Sequence, residues 1–192
     1  MIDPGAVAAI FLAAGRSSRF GAADKLLAPI DGMPVALRAA AAIVELAPAR
    51  RIAVCPDRDG DLATLLAAQG FEIVANPDAD LGLSASLRLG IGAVASGPER
   101  AALLCLADMP FVRAAHLRKL LARFDPETAP VVASSRDGVP TPPALFARAV
   151  FDELGMATGD RGGRALLASA ALVPAAAGDL ADIDRPSDLS VP

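Results

Sequence analysis

Two stretches of this chain concentrate residues able to hold a charged ligand, and a third is suited to reading what that ligand carries. The first is Leu12-Ala13-Ala14-Gly15-Arg16-Ser17-Ser18-Arg19-Phe20-Gly21-Ala22-Ala23-Asp24-Lys25. A glycine just after an apolar run lets backbone N–H groups approach phosphate oxygens with no Cβ in the way. Arg16, Arg19 and Lys25 add three cations, and Ser17 and Ser18 add hydroxyl donors. Three cations so close together in a chain of net charge −4 want a counter-charge, and a polyphosphate supplies it. The plainer alternative is a solvated turn. The second stretch is Ala107-Asp108-Met109-Pro110, which follows the apolar run 101–106. A carboxylate at the end of a buried strand is placed to hold a divalent cation, which prefers hard oxygen ligands. Asp182 and Asp184 offer a further carboxylate, with Ile183 between them facing the other way if the segment is extended. Turn or capping roles would account for each of these aspartates equally simply.

The third stretch, 76–86, is Asn76-Pro77-Asp78-Ala79-Asp80-Leu81-Gly82-Leu83-Ser84-Ala85-Ser86. Its amide, hydroxyls and exposed backbone suit a nucleobase and ribose, or else a strand-to-helix connection capped by Ser84. Two better-known phosphate loops are excluded. A dinucleotide fingerprint needs glycine where Ser17 stands, and a Walker A motif needs glycine where Phe20 stands. His116, the single histidine, has no visible partner and reads as a surface or satisfied core residue.

The elements that must position these residues follow from hydrophobic pattern. Short apolar runs alternate with longer amphipathic ones, as in an α/β domain on a parallel sheet. Strands are expected at 7–12, 51–55, 71–75, 101–106 and 131–134, with an edge strand at 172–174. Helices are expected at 34–47 with Pro34 in the first turn, at 61–69, at 84–94, at 113–124, at 143–154 and at 163–169. Ligands of such folds bind beyond the carboxyl ends of the strands, so loops 13–25, 76–86 and 108–110 should meet at one edge.

Composition narrows the classes further. A chain of 192 residues fits one domain, expected to span 1–192, and 54% hydrophobic residues supply a core. Eighteen basic against 22 acidic residues argue against a nucleic-acid binder. The mean hydropathy of +0.45 reflects alanine rather than a bilayer segment: the longest uncharged stretch, 165–178, contains Pro174 and falls short of the ~18 residues a spanning helix needs. Asp3 and Pro4 stand where a signal peptide would be basic. Cys55 and Cys105 lie in apolar runs and read as free core thiols. A cytoplasmic protein without nucleic-acid or membrane partners is expected.

Taken together these motifs resemble the MobA-like NTP transferases, and most closely their molybdenum cofactor cytidylyltransferase branch. The likeness is carried by Leu12-Ala-Ala-Gly-Arg-Ser-Ser-Arg-Phe-Gly21 with Lys25-Leu-Leu and Pro29. It continues through Asn76, Gly82-Leu-Ser-Ala-Ser-Leu87, Asp108-Met-Pro110, Gly159-Asp-Arg-Gly162 and Asp182-Ile-Asp-Arg-Pro-Ser-Asp-Leu189. The resemblance implies a Rossmann-like, three-layer α/β/α fold of the nucleotide-diphospho-sugar transferase type with a mostly parallel sheet. It implies transfer of CMP from CTP to the terminal phosphate of a molybdopterin-type acceptor, with Mg²⁺ and release of pyrophosphate, and a molybdenum hydroxylase receiving the product. Carried over by position, Leu12, Ala13, Ala14, Gly15, Arg16, Ser17, Arg19, Lys25, Asn76, Gly82 and Ser84 look like nucleotide-site residues. Arg19, Lys25 and Asp108 look like the catalytic group, and Asp108 and Asp184 like the metal ligands. The Leu12-Ala13-Ala14-Gly15 form is similar to the CTP-using branch, whereas the GTP-using branch tends to carry glycine at the third position.

One departure stands out. The branch often carries Gly-His-Pro on the acceptor side, where this chain reads Gly138-Val-Pro-Thr-Pro-Pro143 without histidine. A guanylyltransferase or a transferase with another acceptor stays open on that account. From other classes, so do an NAD-binding Rossmann oxidoreductase and a non-catalytic cofactor chaperone.

Overall fold

The computed structural model describes residues 1–15, 20, 24–79, 82–156 and 166–190. The first strand, β1 (Val7–Leu12), is apolar at every position and buried at every position, as befits a central strand covered on both faces. Next comes a two-residue-turn hairpin, β2 (Pro29–Ile30) and β3 (Met33–Pro34), whose turn Asp31-Gly32 has positive φ at both residues. The chain continues as α1 (Val35–Leu46), β4 (Arg50–Cys55), α2 (Asp61–Ala68), β5 (Glu72–Ala75), α3 (Leu83–Ala95) and β6 (Ala101–Leu106). It ends with α4 (Ala114–Arg123), β7 (Val131–Arg136), β8 (Val139–Ala147), α5 (Phe151–Met156) and β9 (Ala171–Pro174).

The large sheet runs in the order β5-β4-β1-β6-β8-β7-β9. Its first four strands are mutually parallel, β8 is antiparallel to both β6 and β7, and β9 lies parallel to β7 at the edge. Alternation along β1 splits the core. Val7, Ala9 and Phe11 pack with α1, α2 and α4; Ala8, Ile10 and Leu12 pack with α3 and α5. The result is the mostly parallel α/β/α sandwich expected. Helix α3 lies unusually close to the sheet, because a Cβ at Gly90 would fall 2.5 Å from Ile10 Cγ2. Only glycine admits that approach.

Three expectations need correction. Residues 143–154 do not form one helix: β8 continues to Ala147 and the helix is confined to Phe151–Met156. The Ala144–Ala147 end of β8 is buried on both faces because the strand lies inside the sheet, and an all-apolar run does not distinguish buried strand from buried helix. Pro142 and Pro143, which cannot feed a ladder, sit at a register shift opposite Ala133 and Ser134. Ser84 is not the cap of α3; Gly82 holds that position and Ser84 is buried inside the first turn. Pro34 pairs in the small hairpin and stands just ahead of α1 rather than within its first turn. The helix expected at 163–169 falls in part outside the described residues.

Both cysteines are buried and free, and burial pushes their thiols up to about 12. His116 is only 3% exposed, and its Nε2 lies 2.8 Å from Ser134 Oγ. The Ser134 hydroxyl spends its proton on Pro143 O at 2.7 Å, so Nε2 must carry the imidazole proton and donate it. Desolvation holds His116 below the usual histidine value. The neutral form is therefore the folded form, while the unfolded chain takes up a proton near pH 6.5. The urea midpoint should fall as pH drops below about 6.5, and His116→Gln should flatten that slope, since no other histidine exists to produce it.

Candidate active site

Three backbone hydrogen bonds level the carboxyl end of the sheet. Ala13 N–H donates to Val54 O (2.8 Å), Ala107 N–H to Leu12 O (3.0 Å), and Asn76 N–H to Cys55 O (2.8 Å). Each carries a ladder one residue past its strand, so the loops leaving β1, β5 and β6 depart at one height. They enclose a cavity of about 260 Å³ bounded by Leu12, Ala14 and Gly15 on one side and by Ala79, Gly82 and Ser86 on the other, with Asp108 on its wall. Where they are described, the loops expected to converge do so. Gly82 stands at the mouth with φ +92° and ψ 179°, a backbone region open essentially to glycine alone, and it turns the chain into the N-terminus of α3.

Within the expected nucleotide set, the side chains divide into those that line the cavity and those that brace it. Leu12, Ala14, Gly15 and Gly82 line it. Ala13 points into the core on the opposite side of the sheet. Asn76 is 1% exposed; its Nδ2 donates to Ser86 Oγ at 2.8 Å and its Oδ1 accepts from Asp78 N–H at 3.1 Å. It holds the loop in shape. Arg16, Ser17 and Arg19 lie outside the described residues.

Lys25 is held from below. The carbonyls of Leu26 and Ala28 accept from Ala36 N–H and Val35 N–H, so the turn after Lys25 satisfies donors that the first turn of α1 leaves over. Leu26 is buried, and its own N–H is bound by Asp24 Oδ1 at 2.9 Å. From this seat the Lys25 ammonium reaches Asp108 Oδ2 at 2.7 Å and Asp184 Oδ1 at 3.5 Å. The residue is 7% exposed.

Asp184 is delivered by the C-terminal segment. Ile183 is fully buried and its N–H donates to Asp108 O at 2.8 Å, which puts Asp182 and Asp184 on the opposite side of an extended segment, as the alternation predicts. Asp188 Oδ2 accepts from the N–H groups of Asp184 and Arg185 at 2.9 and 2.8 Å, and those bonds hold its carboxyl below the ordinary range. Asp184 thus faces Lys25, while Asp182 lines a neighbouring space.

A divalent cation fits the donors present. Asp108 Oδ1 is buried and has no hydrogen-bond partner among the described residues, and Asp184 offers a second hard oxygen beside it. No group of three or more His, Cys, Asp or Glu side chains gathers among the described residues, so remaining ligands would come from substrate and water, as Mg²⁺ commonly has them.

A second cavity, about 420 Å³, opens on the far side of Asp108. Leu106 and Asp108 belong to both walls. The polar part of the rest comes from Arg136, Asp137, Thr141 and Asp182. Sequence reasoning reached Thr141 only as part of the acceptor-side segment 138–143, and did not reach Arg136 and Asp137. A signal was present: Asp137-Gly138 between two apolar runs marks a tight hairpin, and both residues have positive φ.

A parallel sheet with a glycine loop and acidic residues at its carboxyl edge defines an α/β nucleotide-binding fold. Residues 9–175 match the model of the MobA-like NTP transferase domain, and the chain belongs to that family. A solved nucleotidyl transferase from Methanothermobacter thermautotroptrophicus superposes with a TM-score of 0.80 at 25% identity, over 95% of this chain and 93% of that one. Rv0371c from Mycobacterium tuberculosis H37Rv superposes with a TM-score of 0.76 at 25% identity, over 95% and 94%. The bifunctional protein GlmU of Sphingopyxis alaskensis is 33% identical over 147 residues, 76% of this chain and 32% of its own length. A probable molybdenum cofactor guanylyltransferase of Haloferax mediterranei is 32% identical over 142 residues, 74% of this chain and 66% of that protein. The chain thus spans about a third of the GlmU relative. No described helix is long and apolar enough to cross a membrane.

Because Gly82 occupies a conformation closed to other residues, Gly82→Ala should cost about 1–3 kcal/mol of stability in chemical denaturation.

Proposed function

We propose that this chain transfers a nucleotidyl group from a nucleoside triphosphate to a phosphate-bearing acceptor, releasing pyrophosphate. The observation that carries the reading is the position of Asp108 on a wall common to two cavities, one beside the glycine loop and one beyond it. Nucleotide in the first and acceptor in the second would meet at that carboxylate. An acceptor phosphate oxygen attacks the α-phosphorus in line, the bond from the α-phosphorus to its bridging oxygen breaks, and pyrophosphate departs. An ionised phosphate needs no general base, so positioning and charge neutralisation do the work. Asp108 and Asp184 would hold Mg²⁺, which supplies Lewis-acid neutralisation of phosphate charge when bound. Lys25 and Arg19 would stabilise the negative charge that collects on the leaving pyrophosphate.

For the nucleotide, CTP is the reading drawn from Ala14. Its methyl group lies on the cavity wall, where glycine would leave more room for a purine. GTP is the second reading, favoured by the likeness to the Haloferax protein described as a guanylyltransferase. For the acceptor, we propose a molybdopterin-type phosphate in the cavity beside Arg136 and Thr141, with the product passed to a molybdenum hydroxylase in the cytoplasm. Gly138-Val-Pro-Thr-Pro-Pro143 stands where the cytidylyltransferase branch often carries Gly-His-Pro, so an acceptor of another kind is the second reading.

A thermal-shift panel of CTP, GTP, ATP, UTP and NAD, each with and without Mg²⁺, tests the class. A ligand at ~100 times its Kd should stabilise the fold by about 2.7 kcal/mol. Response to one NTP with Mg²⁺ supports the reading, and response to NAD alone replaces it with a dinucleotide-binding one. In turnover assays Asp108→Asn should lower kcat by about 10²–10³-fold. Ala14→Gly should move the CTP-to-GTP ratio of kcat/KM toward GTP by about tenfold, the effect of one methyl in a pocket.

A further inference from the structure

The Lys25 ammonium stands against the two carboxylates that suit a metal ion. It contacts Asp108 Oδ2 at 2.7 Å and Asp184 Oδ1 at 3.5 Å, the two carboxylates whose oxygens suit a divalent cation. Asp108 Oδ1 is open to a metal, but it belongs to the same carboxylate as the Oδ2 that the ammonium holds. The ammonium also faces Asp184 Oδ1, so Mg²⁺ ligating this pair at about 2.0–2.1 Å would stand against the ammonium. One must leave. Lys25 is 7% exposed and seated by a turn bonded to the start of α1, so it does not simply swing into water when displaced. It needs an anionic partner close by. The glycine loop borders the cavity that Asp108 also lines, so an anion bound there would lie beside the carboxylate that the ammonium contacts.

We propose that Lys25 is the resident cation of this carboxylate pair, and that it excludes free divalent ions until a triphosphate draws the ammonium away. The inference rests on the nucleotidyl-transfer reading only for the identity of the anion. Divalent cation and triphosphate then bind with positive coupling, each clearing the way for the other, and the coupling is reciprocal. In the free protein the ammonium also cancels repulsion between Asp108 and Asp184, which keeps the two carboxylates assembled before any metal arrives. Lys25 thus exchanges carboxylate oxygens for phosphate oxygens when nucleotide binds.

The test is Mn²⁺ binding, read by EPR on the free protein without nucleotide. Wild type should bind Mn²⁺ weakly, and Lys25→Met should bind it about tenfold or more tighter. Adding Asp108→Asn to Lys25→Met should abolish the gain, which locates it at this pair. Lys25→Arg keeps a cation in place and should bind Mn²⁺ as weakly as wild type. Lys25→Gln serves as a second neutral variant should Lys25→Met fail to fold by circular dichroism. Equal or weaker Mn²⁺ binding by the neutral variants would overturn the proposal, as would tighter binding by Lys25→Arg. A parallel titration of wild type with Mn²⁺ plus CTP or GTP should tighten Mn²⁺ binding. Failure of that arm with both nucleotides, alongside a gain in Lys25→Met, would strike the nucleotidyl-transfer reading and leave the exclusion of free metal standing.

Discussion

A nearly buried ammonium must find negative charge within the protein, and Lys25 finds it on two segments far away in sequence, at Asp108 and Asp184. Taking a cation out of water is costly, and the cost is recovered only with good geometry and partners on the other side. This requirement ties the start, the middle and the end of the chain to one point. The β1 loop brings Lys25, the end of β6 brings Asp108, and the C-terminal segment brings Asp184 through the buried Ile183. The partial exposure of both carboxylates, 25% and 46% of their side chains, leaves the trio open to ligand on one side. An arrangement sealed from solvent would hold the fold as well but could not exchange partners.

The sheet makes this meeting possible by register. Leu12 pairs with Leu106 and with Val54, so neighbouring parallel strands end level and their loops share an edge. Gly90 lets α3 settle close against Ile10 of β1. Beyond β6 the parallel pattern is interrupted by β8, and this reversal places the turn between β7 and β8 on the same edge as Asp108. Parallel order builds one cavity; the single reversed strand builds the other.

How much of this was legible in the sequence depended on the kind of signal. The β1 run, the aspartate after β6 and the alternation around Ile183 were each legible because a buried strand or an extended segment leaves a short, local pattern. The 144–147 run was misread because Ala-Leu-Phe-Ala buried on both faces has no period to reveal, and the prolines that argued against a helix were absorbed by a register shift visible only in three dimensions. Asn76 was singled out for its chemistry, but the amide is consumed by Ser86 and Asp78, and no sequence spacing reports such a spent side chain. Nor could spacing show that Lys25 faces carboxylates in the free protein, because that depends on residues 83 and 159 positions away.

The turn at Asp137-Gly138 has a consequence for descent. It hangs from two strands whose far ends are locked into the sheet, and among the described residues it contributes to the second cavity and not to the first. Lineages could lengthen, shorten or recharge this tip while every residue of the first cavity stayed as it was. Change in what is modified is thereby uncoupled from change in what does the modifying, and a common ancestor of this architecture could diversify through one protruding ribbon.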